Sequence, residues 1–167
     1  MSVFLDSEEY DEKVIKICPR DTEGEIIELG GLLICLPKKP AKKQILGHDQ
    51  PKSLQMWGRT LMPKELSRIR SMDEWAETPR EFREKFRPYI EEEFRRRSEG
   101  IWFYNNGTPT YITGRHYMML QWTKMDIGYP YFLNFQREIF LHMAACETDP
   151  RCIGQLYTKC RRSGYTN

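Results

Sequence analysis

The sequence has no long apolar run, no basic leader and no paired cysteines. Its longest apolar stretch, at residues 31–36, is far shorter than the roughly 20 residues that cross a bilayer. Residues 1–10 carry acidic side chains and no basic ones, unlike a secretory signal. We therefore expect neither a membrane protein nor a secreted one.

Cysteine content and charge narrow the class further. The 167 residues include five cysteines, an odd number with no C-x-x-C pair, so a disulfide framework or a structural zinc site is poorly supported and a reducing cytoplasm fits. The formal net charge of +2 gives no information about a nucleic-acid partner. With 40% hydrophobic and 30% charged residues, the composition is that of one ordinary globular domain.

The N-terminal part is predicted to hold a β-hairpin and then a basic linker. Apolar residues alternate or cluster at 14–18 and 25–36, on either side of the turn-rich residues 20–24, which is typical of two paired strands. Residues 37–52 are rich in lysine and broken by proline and glycine, a composition that packs no core. We interpret them as a solvated loop, although their lysines could instead contact phosphate.

Two capping boxes predict two helices after Pro63. Residues 71–74 and 78–81 both fit the S/T-x-x-E pattern, and Pro79 favours a helix that begins at Thr78. Pro88 is expected to kink this second helix or divide it. An apolar stripe at steps of four is predicted to face the core, and it consists of Phe82, Phe86, Ile90 and Phe94.

A second hairpin and two more helices are predicted after Gly100. The dipeptide Asn106-Gly107 between apolar residues 101–104 and 108–112 is a strong hairpin signal. A helix follows from Thr113 or Gly114, with His116 on its inner face as a structural residue rather than a metal ligand.

The last predicted helix runs from Asn134 to about Cys146 and is followed by a buried strand at residues 152–158. The side chains predicted to face inward from this helix are Phe135, Ile139, Phe140 and Met143.

The most informative segment is residues 159–166, which nearly match the phosphate-binding pattern G-x-x-x-x-G-K-[ST]. Gly164 and Thr166 stand in place, whereas Tyr165 takes the usual lysine position and Lys159 the position of the first glycine. Positive charge from Lys159 and Arg162 could still reach a triphosphate held by backbone N–H groups. The hydroxyl of Thr166 could coordinate Mg²⁺.

This motif resembles the variant phosphate loop of the large terminase subunits of tailed bacteriophages, which pump DNA into procapsids. The match is Lys159-x-x-Arg162-x-Gly164-Tyr165-Thr166. The resemblance implies an ATP and Mg²⁺ site in which Lys159 replaces the usual loop lysine, Arg162 lies beside the triphosphate and Thr166 binds the metal. The loop residues Ser163, Gly164 and Tyr165 would then surround the phosphates.

An upstream glutamine is the second point of resemblance. Terminases and related ATPases carry an adenine-reading glutamine before the phosphate loop, and Gln136 precedes Lys159 by 23 residues. Its amide could pair with adenine while Phe132 or Phe135 stacks on the ring. Alternatively, Gln136 is simply a polar residue in the first turn of a helix. Residues 111–117 also look like the region that leads into the ATPase domain of some terminases, including those of crAss-like phages.

The sequence lacks the apolar strand ending in Asp-Glu that a P-loop ATPase needs, and it lacks the acidic cluster of a terminase nuclease. We therefore expect no catalytic residue here and an N-terminal fragment, cut inside its phosphate loop, that does not hydrolyse ATP alone. The expected fold class is α+β, in which residues 1–99 form a variable N-terminal region and residues 100–167 begin a P-loop ATPase domain.

By the resemblance, the partners are double-stranded DNA, a portal ring and a small terminase subunit. The full-length protein would form a homo-oligomeric ring in the host cytoplasm, with no membrane contact. Two alternatives stay open. The chain could be a small nucleic-acid-binding module that uses its basic residues 159–162, or part of another P-loop helicase or translocase.

Overall fold

The computed structural model describes residues 14–17, 24–126 and 128–156 of the chain. These residues form a mixed α+β fold with two small sheets and four α-helices. The strands are β1 Ile15–Lys16, β2 Ile26–Leu29, β3 Leu32–Cys35, β4 Ile101–Asn105 and β5 Thr108–Ile112. The helices are α1 Met72–Glu77, α2 Arg80–Glu99, α3 Gly114–Trp122 and α4 Asn134–Thr148.

The N-terminal sheet contains a hairpin, but not the predicted one. Strands β2 and β3 pair antiparallel around Gly30 and Gly31, whose φ angles of 59° and 79° suit a tight hairpin turn. Strand β1 lies parallel to β3 on its other side, with Ile15 opposite Ile34. The prediction that residues 14–18 pair antiparallel with residues 25–36 is therefore wrong, because the Gly-Gly turn divides the second segment into two strands.

The basic segment at residues 37–52 packs against the second sheet. The amide of Leu46 donates to Trp102 O at 3.1 Å, and the Tyr104 amide donates to Leu46 O at 2.9 Å. Ile45 is only 2% exposed and belongs to the core. The expectation that this segment packs no core is wrong, because its two adjacent apolar residues dock on the edge of β4 while its lysines stay in solvent.

Only the first of the two predicted capping boxes forms. Ser71 caps α1 and accepts from the Glu74 amide at 3.1 Å, as predicted. Thr78 instead ends α1, and its hydroxyl donates to Trp75 O at 2.7 Å. Helix α2 begins at Arg80 with Pro79 at the N-cap and no side-chain cap, so Thr78 lies one residue before the position that the capping box requires.

Helix α2 continues through Pro88 without being divided, and its inner face differs from the predicted stripe. Phe86 and Glu93 are buried, whereas Phe94 is 64% exposed. A step of four residues drifts by about 40° around a helix, but a step of seven returns to nearly the same face. The buried face therefore runs from Phe86 to Glu93, and the prediction that Phe94 faces the core is wrong.

The predicted hairpin at residues 101–112 is confirmed. Asn105 lies opposite Thr108, and Asn106 and Gly107 have φ angles of 49° and 82°. Helix α3 follows at once, capped by Thr113, which accepts from the His116 amide at 3.3 Å. At Gly114 an added Cβ would lie 2.0 Å from Arg97 O, so only glycine lets α3 approach the backbone of α2 this closely.

Helix α4 covers the N-terminal sheet and completes the core. Its fully buried side chains are Leu141 and Ala145, rather than the four residues predicted to face inward, which are only half-buried. Leu141 and Ala145 belong to one apolar cluster with Ile15 and Trp102, so the core joins residues from both sides of position 100. No helix in the described ranges is long and apolar enough to cross a membrane.

Candidate nucleotide site

The structure places Gln136 and Phe135 in the first turn of α4, where both are half-buried. The start of this helix has no side-chain cap. It is held instead by Arg137, whose amide donates to Leu133 O at 3.1 Å and whose Nε donates to Tyr111 O at 2.7 Å. Gln136 is therefore carried on a helix whose first turn is fixed to strand β5.

Phe132, one of the two aromatic residues proposed to stack on adenine, is occupied by core packing. Its ring lies 5.0 Å from the Phe103 ring in an edge-on arrangement, and it stacks on the His116 imidazole at 5.7 Å. It belongs to the apolar cluster that includes Tyr117 and Leu120. A stacking role for Phe132 is thus not supported, whereas the role predicted for Phe135 stays a prediction.

His116 is fully buried on α3, in agreement with its predicted structural role. Its imidazole stacks on Phe140 at 4.7 Å and 12°. Burial, with a smaller contribution from Arg137, lowers the pKa of His116 to about 4. A neutral ring between two aromatic rings is a packing element, and no group of three metal-binding side chains occurs in the described part of the chain.

Residues 152–156 do not form the predicted strand. They have no regular secondary structure, and Ile153 and Leu156 are 104% and 92% exposed. Apolar alternation alone predicted a buried strand, whereas no strand of the two described sheets pairs with residues 152–156.

The phosphate-loop residues follow this segment directly. The residues Lys159, Arg162, Ser163, Gly164, Tyr165 and Thr166 lie outside the described residues, as do positions 157 and 158 of the predicted strand. The predicted ATP and Mg²⁺ site therefore stays a prediction, and among its members only Gln136 and Phe135 have a described position.

The structure also shows a buried polar cluster that the sequence did not predict. The carboxylate of Glu93 is 5% exposed and accepts from the Tyr117 hydroxyl at 2.7 and 2.8 Å and from Trp122 Nε1 at 3.2 Å. Arg96 Nη1 lies 3.6 Å from the same carboxylate. Burial and the hydrogen bond to Glu93 raise the pKa of Tyr117, so its hydroxyl keeps its proton. This cluster joins α2 to α3.

The arginine run at residues 95–97 is engaged within the protein. Arg95 Nε and Arg96 Nε both donate to Glu92, each at 2.8 Å. The hydrogen bond from Arg95 is the largest cause that lowers the pKa of Glu92 to about 2. The guanidinium of Arg97 lies 4.8 Å from the ring centre of Trp122. Because these pairs engage the three guanidinium groups within the protein, they favour the interpretation of residues 95–97 as an ordinary helix end over that of a DNA-binding surface.

Comparison of the chain with protein-family models, with curated proteins and with solved structures finds no match.

Proposed function

We propose that this chain is the N-terminal part of an ATP-driven DNA-packaging motor of the large terminase type. The observation that carries the proposal is the motif Lys159-x-x-Arg162-x-Gly164-Tyr165-Thr166, because it departs from the usual phosphate loop at the same positions as the terminase loop. ATP with Mg²⁺ is the proposed cofactor, and double-stranded DNA, a portal ring and a small terminase subunit are the proposed partners.

Two features of the described residues support this proposal. Gln136 lies on a helix anchored to β5, and that helix ends eleven residues before Lys159, so a rigid element precedes the loop. The segment between them exposes Ile153 and Leu156 completely. Exposed apolar side chains in that position suit a surface that further parts of an extended protein would cover.

The proposal is tested by expressing the protein to its natural stop codon and measuring Mg²⁺-dependent ATP hydrolysis with linear double-stranded DNA. Lys159→Ala should lower kcat by about 100-fold or more, since it removes a charge that stabilises the transferring phosphoryl group. Lys39→Ala, a change at an exposed lysine, is the matched control and should retain full turnover. Equal turnover by both variants would contradict the proposed site.

The role of Gln136 is tested in the same protein by nucleotide competition. Gln136→Ala should reduce the preference for ATP over GTP more than it reduces turnover, because the amide would read the adenine edge. Gln50→Ala, at an exposed glutamine, is the control. Unchanged nucleotide selectivity would return Gln136 to a structural role.

The same experiment also separates the motor from the basic binding module. Three results together would favour the binding module over the motor. A stop codon would directly follow codon 167, and the protein would hydrolyse no ATP. The double variant Arg161→Ala/Arg162→Ala would bind DNA more weakly, with a flatter dependence of affinity on salt concentration.

A further inference from the structure

After α4 the chain turns back toward that helix, and Gln155 Nε2 donates to Met143 O at 3.4 Å. The Asp149 amide donates to Ala145 O, and the Cys152 amide donates to Asp149 O, both at 3.0 Å. The buried Asp149 carboxylate accepts from the Arg151 amide at 3.0 Å and pairs with the Arg151 guanidinium at 2.7 Å. These bonds fix the turn that separates Cys146 from Cys152.

The turn brings two cysteines and a histidine to one cavity. Cys146, Cys152 and His142 line a cavity of about 220 Å³. Cys146 Sγ lies 3.6 Å from His142 Nδ1, and the Cys152 thiol, which donates to Gly154 O at 3.4 Å, lines the same cavity. Both cysteines are half-buried and carry free thiols.

We propose that Cys146 and Cys152 are a reversible dithiol site, at which a low-molecular-weight disulfide such as oxidised glutathione converts the two thiols into an intramolecular disulfide. The ring closed by this bond would span residues 146–152. Metal binding by the same groups is less well supported, because the described residues contain no set of three potential ligands at metal-binding spacing.

The exchange begins at Cys152. Burial and the neighbouring Cys152 thiol raise the pKa of Cys146 to about 11, so Cys146 forms little thiolate at neutral pH. The Cys152 thiolate attacks one sulfur of oxidised glutathione, which forms a mixed disulfide and releases one glutathione thiolate.

Cys146 completes the exchange. It loses its proton to His142 Nδ1 and attacks Cys152 Sγ, which releases the second glutathione thiolate. The two released thiolates take up the two cysteine protons. In total, two protein thiols are oxidised to one disulfide and one molecule of oxidised glutathione is reduced to two thiols.

The sequence allows a direct test in the full 167-residue chain. Trypsin cuts after Arg137, Arg151 and Lys159, so Cys146 and Cys152 fall in the separate peptides 138–151 and 152–159. The folded protein is equilibrated with oxidised glutathione, free thiols are blocked with N-ethylmaleimide, and the digest is analysed by mass spectrometry. We expect the two peptides as one linked species that separates on reduction.

Controls distinguish a site built by the fold from chance pairing. Cys35→Ser should leave the linked species unchanged, whereas Cys146→Ser and Cys152→Ser should each abolish it. The equilibrium constant for closing the ring against glutathione should be at least about tenfold larger in the folded chain than in denaturing guanidinium. Any of three results would overturn the proposal. Both cysteines could be blocked by N-ethylmaleimide, or Cys152 could be linked mainly to Cys18 or Cys160. The third result is an equal equilibrium constant for ring closure in the folded chain and in denaturing guanidinium.

Discussion

Two neighbouring residues of α3 bury polar groups in opposite ways. Tyr117 is fully buried, and its hydroxyl donates to the Glu93 carboxylate. His116 is equally buried, yet neither of its ring nitrogens has a hydrogen-bond partner among the described residues. A paired polar group ties α3 to α2 in one geometry, whereas an unpaired imidazole contributes only its stacked ring and must stay neutral.

The largest effect is expected when the acceptor of the paired cluster is removed. Glu93→Ala leaves the Tyr117 hydroxyl and Trp122 Nε1 buried without their acceptor, so the free energy of unfolding should fall by about 4 kcal/mol. Urea unfolding at pH 7.5 measures the change. Glu91→Ala, an exposed position on the same helix, should change stability by less than about 0.5 kcal/mol. A similar small loss for Glu93→Ala would show that the cluster does not stabilise the helix pair.

Acid should act on the unpaired residue. The pKa of His116 is about 4 in the folded chain and about 6.5 when unfolded, so the unfolded chain binds the proton first as the pH falls. The stability due to neutral His116 is complete above pH 6.5 and is lost between pH 6.5 and pH 4, a total of about 3 kcal/mol. The measurement is urea unfolding across this range for the wild type and for His116→Leu. Parallel curves for the two proteins would contradict the prediction.

Removing only the donor of the paired cluster should have a smaller effect. Tyr117→Phe keeps the ring, which lies 5.9 Å from Trp57, and deletes the hydroxyl. Glu93 retains Trp122 Nε1 and Arg96, so the expected loss is about 2 kcal/mol. Combining Tyr117→Phe with Glu93→Ala in a double-mutant cycle isolates the pair, and strictly additive losses would mean that the hydrogen bond contributes nothing.

The smallest effect is expected at neutral pH for the unpaired residue. His116→Leu replaces a neutral ring that has no hydrogen-bond partner among the described residues by an apolar side chain, so stability at pH 7.5 should stay within about 1 kcal/mol of the wild type. Thermal unfolding at pH 7.5 measures it. A loss as large as that of Glu93→Ala would show that the stacking on Phe132 and Phe140 contributes far more than its apolar contact.

The elements that the sequence predicted well depend on local chemistry. The Asn106-Gly107 turn and the Ser71 cap both form because their side chains or backbone angles act within four residues. The prediction for the N-terminal hairpin is wrong because Gly30-Gly31, which forms the turn, lies inside an apolar stretch that resembles one continuous strand.

Burial that depends on distant partners could not be predicted in this way. Nothing in the acidic run at residues 91–93 indicates that Glu93 alone points inward, since its partners Tyr117 and Trp122 lie 24 and 29 residues away. Likewise, two apolar residues among lysines gave no sign that Leu46 would pair with β4. In the candidate site, the sequence predicted the helix that carries Gln136. It could not predict that the Phe132 ring packs in the core, because this depends on contacts with Phe103 of β4 and His116 of α3.

The sequence separation between contacting residues determines the order in which parts of the fold can form during synthesis. Every partner of the Glu93 cluster lies between residues 93 and 122, so α2, the second hairpin and α3 can meet as soon as that stretch leaves the ribosome. The cluster that holds Ile15 requires Ala145, and β1 must therefore wait for α4. We expect the Tyr117 amide to gain protection before the Ile34 amide in pulse-labelled hydrogen exchange during refolding. The reverse order would mean that the N-terminal sheet nucleates the chain.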